Sequence, residues 1–348
     1  MKYKDYTYEA VELLKRLIAT PSVSRDESRA ADIIEEYMAS RSLSPRREAN
    51  NVFSVCDDYD ERKPTLLLNA HIDTVKPVAT WTKNPFAPVV EGDRLYGLGS
   101  NDCGGGLTAL LQTYIALKGR DRAWNVVYLA SAEEEVSGSD GIARVLPLLP
   151  KIDVAVVGEP TEMQPAIAEK GLMVIDGTAH GRSGHAARNE GVNAIYEALD
   201  DLTWLRDYRF EHVSELLGPV KMSVTMINAG TQHNVVPDTC RFVIDVRTNE
   251  LYTNEEVFDI IKKHVNSEVK ARSFRLNSSR IDPGHPLICR LTAMGLRPFG
   301  SPTLSDQALM PFPSFKLGPG KSSRSHSADE FICINEIDNA IDTYLQMI

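Results

Sequence analysis

A chain of 348 residues with 43% hydrophobic and 25% charged residues has the balance of a folded globular protein and the length for two ordinary domains, or one large domain carrying an insertion. Its formal net charge of -10 disfavours a long phosphate-contacting surface, which needs clustered Lys and Arg, and so excludes nucleic acid as a partner. The five cysteines, Cys56, Cys103, Cys240, Cys289 and Cys333, are odd in number and form no CxxC pair; a disulfide framework and a cysteine-zinc knuckle are both excluded, and reduced thiols are expected.

The opening MKYKDYTYEAVELLKRL has no apolar h-region, and no run approaches the roughly 20 apolar residues of a membrane span, so a cytoplasmic protein with no membrane partner is expected. Apolar positions at helical spacing predict helices over 8–19 and 26–40, with Ser24 as a cap. Short apolar runs follow at 51–56, 65–70, 125–132 and 153–159, with helical stretches at 104–118 and 139–148 between them. Such alternation predicts an α/β layer whose parallel strands are buried on both faces.

From 171 to 277 the order changes to a strand at 171–180, a helix at 192–205, strands at 221–229 and 239–248, a helix at 254–266 and a strand at 271–277. This βαββαβ order is that of the ferredoxin-like split βαβ unit. The expected fold is therefore α/β: a mostly parallel-sheet catalytic domain formed by 1–170 and 278–348, with an inserted ferredoxin-like α+β domain at 171–277 acting as lid and dimerisation surface.

Parallel strands deliver functional residues at their C-terminal ends. Here TLLLNA runs into His71-Ile72-Asp73, the loop YGLGSNDCGGG places Asp102 before a helix, NVVYLASA runs into Glu133-Glu134-Glu135, and DVAVVG into Glu159-Pro160-Thr161. Two divalent cations held side by side need a carboxylate to bridge them, His and carboxylate ligands on each side, and a general base that is not itself a ligand. Each fragment alone has a plainer reading. The glutamate run suits a helix N-terminus, and the three glycines suit a turn.

Taken together, seven ordered stretches resemble the M20-type metallopeptidase and deacetylase family, the group that includes acetylornithine deacetylase, succinyl-diaminopimelate desuccinylase and aminoacylase-1. They are NAHIDTV at 69–75, YGLGSNDCGGG at 96–106, SAEEEVSGSDG at 131–141, VVGEPT at 156–161, GRSGHAARNEGVNAI at 181–195, NVVPDTCRFVIDVR at 234–247 and GPGKSSRSHSADE at 318–330. The resemblance implies two zinc ions per chain, with Co²⁺ or Mn²⁺ as substitutes. One would be held by His71, Asp102 and Glu159, the other by Asp102, Glu135 and His326. It also implies Glu134 as general base, Asp73 as the residue that steadies His71, and His185 as an oxyanion donor that often comes from the partner subunit of a homodimer. Asn234, Arg247, Gly318 and Gly320 are implied as substrate binders.

The chain departs from the family's usual pattern at Leu98, at Cys103-Gly104 and at Glu133, none of them an implied ligand. His180, His212, His233, His264 and His285 match no ligand motif, and Arg324 is a minor candidate for a substrate carboxylate. The expected activity is hydrolysis of a linear amide: removal of an acetyl or succinyl group from a small N-acyl amino acid, N-acyl-L-ornithine of arginine biosynthesis first. Succinyl-diaminopimelate, or a dipeptide or carboxypeptidase substrate, comes second. An inactive amino-acid-binding module is the alternative of a different class.

Overall fold

The computed structural model describes residues 3–188 and 190–348; Met1, Lys2 and Asn189 of the stretches quoted above lie outside them. The chain divides into two units. One comprises residues through Ile167 with Ile281–Phe299 and Ser305–Ile348, and the other Ala168–Arg280 with Gly300–Leu304. Among the described residues no helix is long and apolar enough to cross a membrane.

The first unit is built on a sheet in the order Arg46–Glu48, Asn51–Val55, Asn125–Ser131, Thr65–His71, Val154–Val157, Ser314–Lys316, continued where Lys316 pairs with Ala166. The four strands from Asn125–Ser131 to Ser314–Lys316 run parallel, and every residue of these strands is buried. That is why their sequences read as unbroken apolar runs. On one face the Gly105–Leu117 helix packs against the Thr65–His71 strand and beneath the helices Tyr3–Ile18 and Ile334–Met347. All but one of its side chains are buried, so its sequence shows almost no polar stripe. On the other face Ile142 and Val145 cover Leu67, Val127, Leu129 and Ala155. The result is a mixed α/β fold with a mostly parallel central sheet.

Four local expectations are corrected. The Asn51–Val55 strand is antiparallel to its neighbour, as suits the edge of a parallel sheet. Ser24 caps nothing, because its hydroxyl donates to Asp73 Oδ2 at 2.7 Å; the Ser28–Ser40 helix starts after Glu27. The expected 139–148 helix shrinks to Ile142–Val145 and a 3₁₀ turn at Leu146–Leu148, since Gly141 is non-helical, with φ -82 and ψ -149, and Pro147 lacks a donor. The short strands Ala166–Glu169 and Ser314–Lys316 were not expected at all.

In the second unit the strand order is Lys221–Ala229, Thr239–Arg247, Met173–His180, Glu268–Ala271, antiparallel throughout. The helices Ala194–Asp207 and Asn254–His264 contribute Ala198, Val257 and Ile261 to a core with Met173, Ile175, Phe242, Ile244 and Val246. The alternating burial of Met173–His180 is the period-2 signature of a sheet covered on one face. The last strand stops at Ala271 where 271–277 was expected. Asn254 explains the early end: its side-chain amide donates to the carbonyls of Phe274 and Leu276, and its own N–H donates to Asn277 Oδ1 at 2.8 Å. The 274–277 backbone is thus committed to the start of a helix.

Candidate metal centre

All five residues implied as ligands belong to the first unit, and the fold gathers them from chain segments far apart. His71 is the last residue of its strand. Its Nδ1 donates to the Asp73 backbone carbonyl at 2.9 Å, which leaves the other ring nitrogen, Nε2, facing Asp102 Oδ1 at 3.3 Å and Glu159 Oε1 at 3.5 Å. On the other side His326 Nε2 stands 3.0 Å from both Glu135 oxygens and 3.6 Å from Asp102 Oδ2. Asp102 therefore turns one oxygen to each histidine.

The donor set fits divalent cations. Ligands about 2.1 Å from a tetrahedral ion stand about 3.4 Å from one another, close to the separations found. Glu159 Oε1 is buried with no hydrogen-bond partner, an arrangement costly for a carboxylate unless a cation completes it. Burial, and next the charge of Asp102, push the Glu159 carboxyl up to about 8. Burial also raises Glu134 well above the usual range, with Glu159, Asp306 and Glu135 adding to the effect. Around His71, burial disfavours the charged ring, but Cys103, Asp102 and Asp73 outweigh it and hold the pKa well above the ordinary value. His326 is pushed up to about 9, first by its hydrogen bond to Glu135. Negative charge here exceeds what the protein itself neutralises.

Glu134 and Glu135 sit on a 3₁₀ turn entered through Glu133 in the left-handed region, φ 55. Their backbone N–H groups both donate to the Asp73 carboxylate at 3.1 Å. Asp73 thus orients two things at once: its carbonyl fixes the His71 ring and its carboxylate fixes the turn carrying the candidate base. Glu133 points away, accepting the Asp140 N–H at 3.3 Å. Cys103, where the family's usual pattern differs, accepts the His71 backbone N–H at 3.2 Å; its sulfur supports the strand end.

The glycines hold backbones close together. Gly318 exchanges hydrogen bonds with Thr161, N–H to Oγ1 and N–H to O, both at 3.1 Å. Gly320 has φ +87, and a Cβ there would meet Asn101 Oδ1 at 2.3 Å. Both join the His326 loop to the segments bearing Glu159 and Asp102. Arg324 is fully engaged: it grips Glu336 with two hydrogen bonds of 2.7 and 3.1 Å and stacks on Phe331 at 4.4 Å, so it is a loop anchor and not a free cation for substrate.

The sequence pattern did not single out Glu330. This carboxylate, 2% exposed, accepts the N–H groups of Gly99, Asn101 and Asp102 at 3.2, 2.8 and 3.0 Å and so sets the loop that presents Asp102. Asp306, bonded to Ser131 Oγ at 2.6 Å, was missed too; it lies on a short 3₁₀ turn with no periodicity to mark it.

In the second unit His185 is exposed and pairs by backbone with Val235. Its Nδ1 accepts the Ala187 N–H at 3.1 Å, which puts the ring proton of the neutral form on Nε2. Arg247 is paired with Asp245 at 2.9 and 3.1 Å, and the Asn234 carbonyl accepts the Ala186 N–H at 3.0 Å. Among the unassigned histidines, His285 caps a helix through Leu287 N–H, and the other four are exposed.

Comparison with known proteins supplies the family. The chain is similar to acetylornithine deacetylase of Proteus mirabilis, 29% identical over 356 residues covering 92% of this chain and 91% of that protein, and to that of Shigella sonnei, 27% identical over 371 residues covering 97% and 96%. In fold it is similar to a tripeptidase from Staphylococcus aureus, with TM-score 0.78, 19% identity and 98% and 97% of the two chains covered. It is likewise similar to a dinuclear metal binding peptidase of the M20 family from Bacillus subtilis, with TM-score 0.72, 16% identity and 99% and 98% covered. Residues 67–348 match the model of Peptidase family M20/M25/M40, and the chain accordingly belongs to that family of metal-dependent hydrolases acting on amide bonds.

Proposed function

We propose that the protein removes an acetyl or succinyl group from the α-nitrogen of a small amino acid, with N-acyl-L-ornithine as substrate and arginine biosynthesis as its setting. The observation that carries this reading is the similarity to acetylornithine deacetylases along nearly the full length of both chains. His71, Asp102 and Glu159 would hold one zinc ion and Asp102, Glu135 and His326 a second. Bound divalent ions supply Lewis acidity and make water a stronger acid. Glu134, whose buried carboxylate has a raised proton affinity, takes a proton from the attacking water and passes it to the amide nitrogen as the C–N bond breaks. His185 donates from Nε2 to the oxygen of the tetrahedral intermediate, and Asn234 and Arg247 hold the substrate carboxylate.

The second unit is proposed to be a ferredoxin-like insertion serving as lid and homodimer surface. Its edge strand exposes Met226 and Ile227, and its first helix exposes Tyr196 and Leu199, an unpaired edge and apolar skin that suit a second copy. The five unpaired thiols support a cytoplasmic location.

The test is hydrolysis by the zinc-loaded protein of acetyl-ornithine, succinyl-ornithine, succinyl-diaminopimelate and a dipeptide, with bound metal and sedimentation measured on the same sample. The acyl-ornithines are expected to give the largest kcat/KM. A larger value on succinyl-diaminopimelate or the dipeptide would reassign the substrate, and a monomer would remove the homodimer.

A further inference from the structure

Three successive backbone N–H groups fix the turn that carries Glu134 and Glu135, and only two of them donate to Asp73. The third, that of Glu133, donates to Glu27 Oε1 at 3.3 Å, across 106 positions of sequence. Glu133 enters the turn in the left-handed region, φ 55, a conformation that a residue other than glycine keeps only where its surroundings hold it there. Glu27 is one of the groups that do the holding.

The Glu27 carboxyl is fully buried, and its hydrogen bonds come from neutral groups. The Arg25 and Glu133 N–H groups reach Oε1 at 2.6 and 3.3 Å, and the Asn50 side-chain amide reaches Oε2 at 3.1 Å. A carboxyl held by neutral donors is costly to bury, and burial raises its pKa above the ordinary value. Its backbone is anchored, since the Glu27 carbonyl accepts the Ala31 N–H at 2.9 Å at the start of the Ser28–Ser40 helix. The same segment meets the metal centre a second time. Thr74 N–H donates to the Ser22 carbonyl at 2.9 Å and Ser24 N–H to the Thr74 carbonyl at 3.2 Å, which sets the Ser24 hydroxyl 2.7 Å from Asp73 Oδ2. Residues 22–27 thus form a strap that touches both carriers of the catalytic turn, Asp73 by a hydroxyl and Glu133 by a carboxyl.

We propose that Glu27 is a positioning residue for the candidate base: by accepting the Glu133 N–H it keeps the left-handed entry of the turn in place, and so aims the Glu134 side chain at the water it deprotonates. Ser24 serves the same end through Asp73, which takes the next two N–H groups. The proposal rests on the reading of Glu134 as base. No proton passes through Glu27; it acts on the geometry, and a misplacement of about 1 Å in a catalytic group can lower a rate by about 100-fold.

The experiment uses the full zinc-loaded chain. Amide hydrogen exchange is read by mass spectrometry over residues 131–138, with the strand at 65–71 as internal control, and kcat, KM and bound zinc are measured on whichever of the four substrates above is hydrolysed fastest. Glu27→Met, which keeps the length of the side chain and removes the acceptor, is expected to speed exchange over 131–138 about three- to tenfold, the worth of one net hydrogen bond. It should lower kcat about 10- to 100-fold while KM and zinc content stay at the parent values. Glu27→Asp, which keeps the charge and withdraws the oxygens by one methylene, should show the same two effects, and it decides the matter if the methionine variant does not fold. Glu27→Gln still offers an oxygen to Glu133 and should restore both readings. Asn50→Ala strips the other oxygen of the same carboxyl and should leave kcat alone. The proposal is overturned if Glu27→Met and Glu27→Asp keep the parent exchange and kcat, if Glu27→Gln loses as much as they do, or if Asn50→Ala lowers kcat as far. Glu134→Ala, run alongside, separates the two levels: if it keeps its kcat, the base assignment falls and this proposal with it, whereas if it loses kcat and Glu27→Met does not, this proposal falls alone.

Discussion

Asp102 is useful only if its two oxygens face two ways, and that depends on a backbone held from outside. Glu330 does the holding by accepting three N–H groups of the loop. Glu330→Gln replaces a carboxyl group whose two oxygens both accept backbone N–H groups with an amide whose NH₂ must face a donor. We expect a loss of about 1–3 kcal/mol in urea unfolding together with weaker zinc retention; unchanged values for both would make Glu330 a bystander. Glu134 should behave in the opposite manner. Glu134→Ala is expected to keep its metal while kcat falls by roughly 10²–10⁴, and zinc lost in step with activity would make Glu134 a ligand. The difference also marks what a sequence displays at this scale. His71, Glu134, Glu135 and Glu159 could be singled out because they end apolar strands inside stretches that resemble the family's; each fragment alone had a plainer reading. Glu330 could not be, because its partners are main-chain donors more than two hundred positions away, and no pattern of side-chain types records such a bond.

The loop bearing His326 is secured by elements and not by His326 itself. Arg324 reaches forward to Glu336 in the first turn of the Ile334–Met347 helix, so the loop is clamped to a helix that packs on the core. Burial alone would raise the Glu336 carboxyl, but hydrogen bonds from Arg324 and the Cys333 N–H outweigh it and hold the pKa below the ordinary value. A carboxylate depressed in the folded state stabilises it above the unfolded pKa, near about 4.3, and that contribution disappears as pH falls through the folded value. Glu336→Gln should therefore unfold at lower urea than the parent at pH 7, with the gap narrowing as pH is brought from 5 toward 3; a gap constant with pH would assign the cost to packing. Elements of this length were readable by length, as for the almost wholly buried Gly105–Leu117, or by alternation, as for Lys221–Ala229. Three- and four-residue strands such as Ser314–Lys316 carry too few positions for a period, and they form because neighbouring strands offer an unpaired edge.

At the scale of the whole molecule, the parallel sheet explains why the candidate ligands at residues 71, 102, 135, 159 and 326 meet: adjacent parallel strands end at the same rim, so each loop leaving the rim adds one polar group. The alternation of strands and helices made that layer legible, while the pairing of Val154–Val157 with Ser314–Lys316 joins segments so far apart that only the folded sheet reveals it. The rim concentrates carboxylates, and this has a consequence for stability. Glu159 is raised to about 8 in the metal-free protein, above its unfolded value near about 4.3. A group raised in the folded state contributes stability that is fully present below the unfolded pKa and is lost as pH rises through the folded pKa. Metal-free protein should thus lose stability between about pH 5 and 8. Zinc bound at the proposed site would act in the reverse sense, because it would bind the ionised carboxylates and compete with protons for them. Thermal unfolding with and without chelator, at matched free zinc, should show a zinc-dependent rise in Tm that grows from pH 5.5 to pH 8, each site adding about 2.7 kcal/mol when free zinc is 100 times its Kd. Asp102→Ala removes the carboxylate shared by both histidines and should abolish the rise at every pH, whereas Glu135→Ala should retain part of it. A zinc effect independent of pH, or one that survives Asp102→Ala, would place the metal somewhere other than this rim.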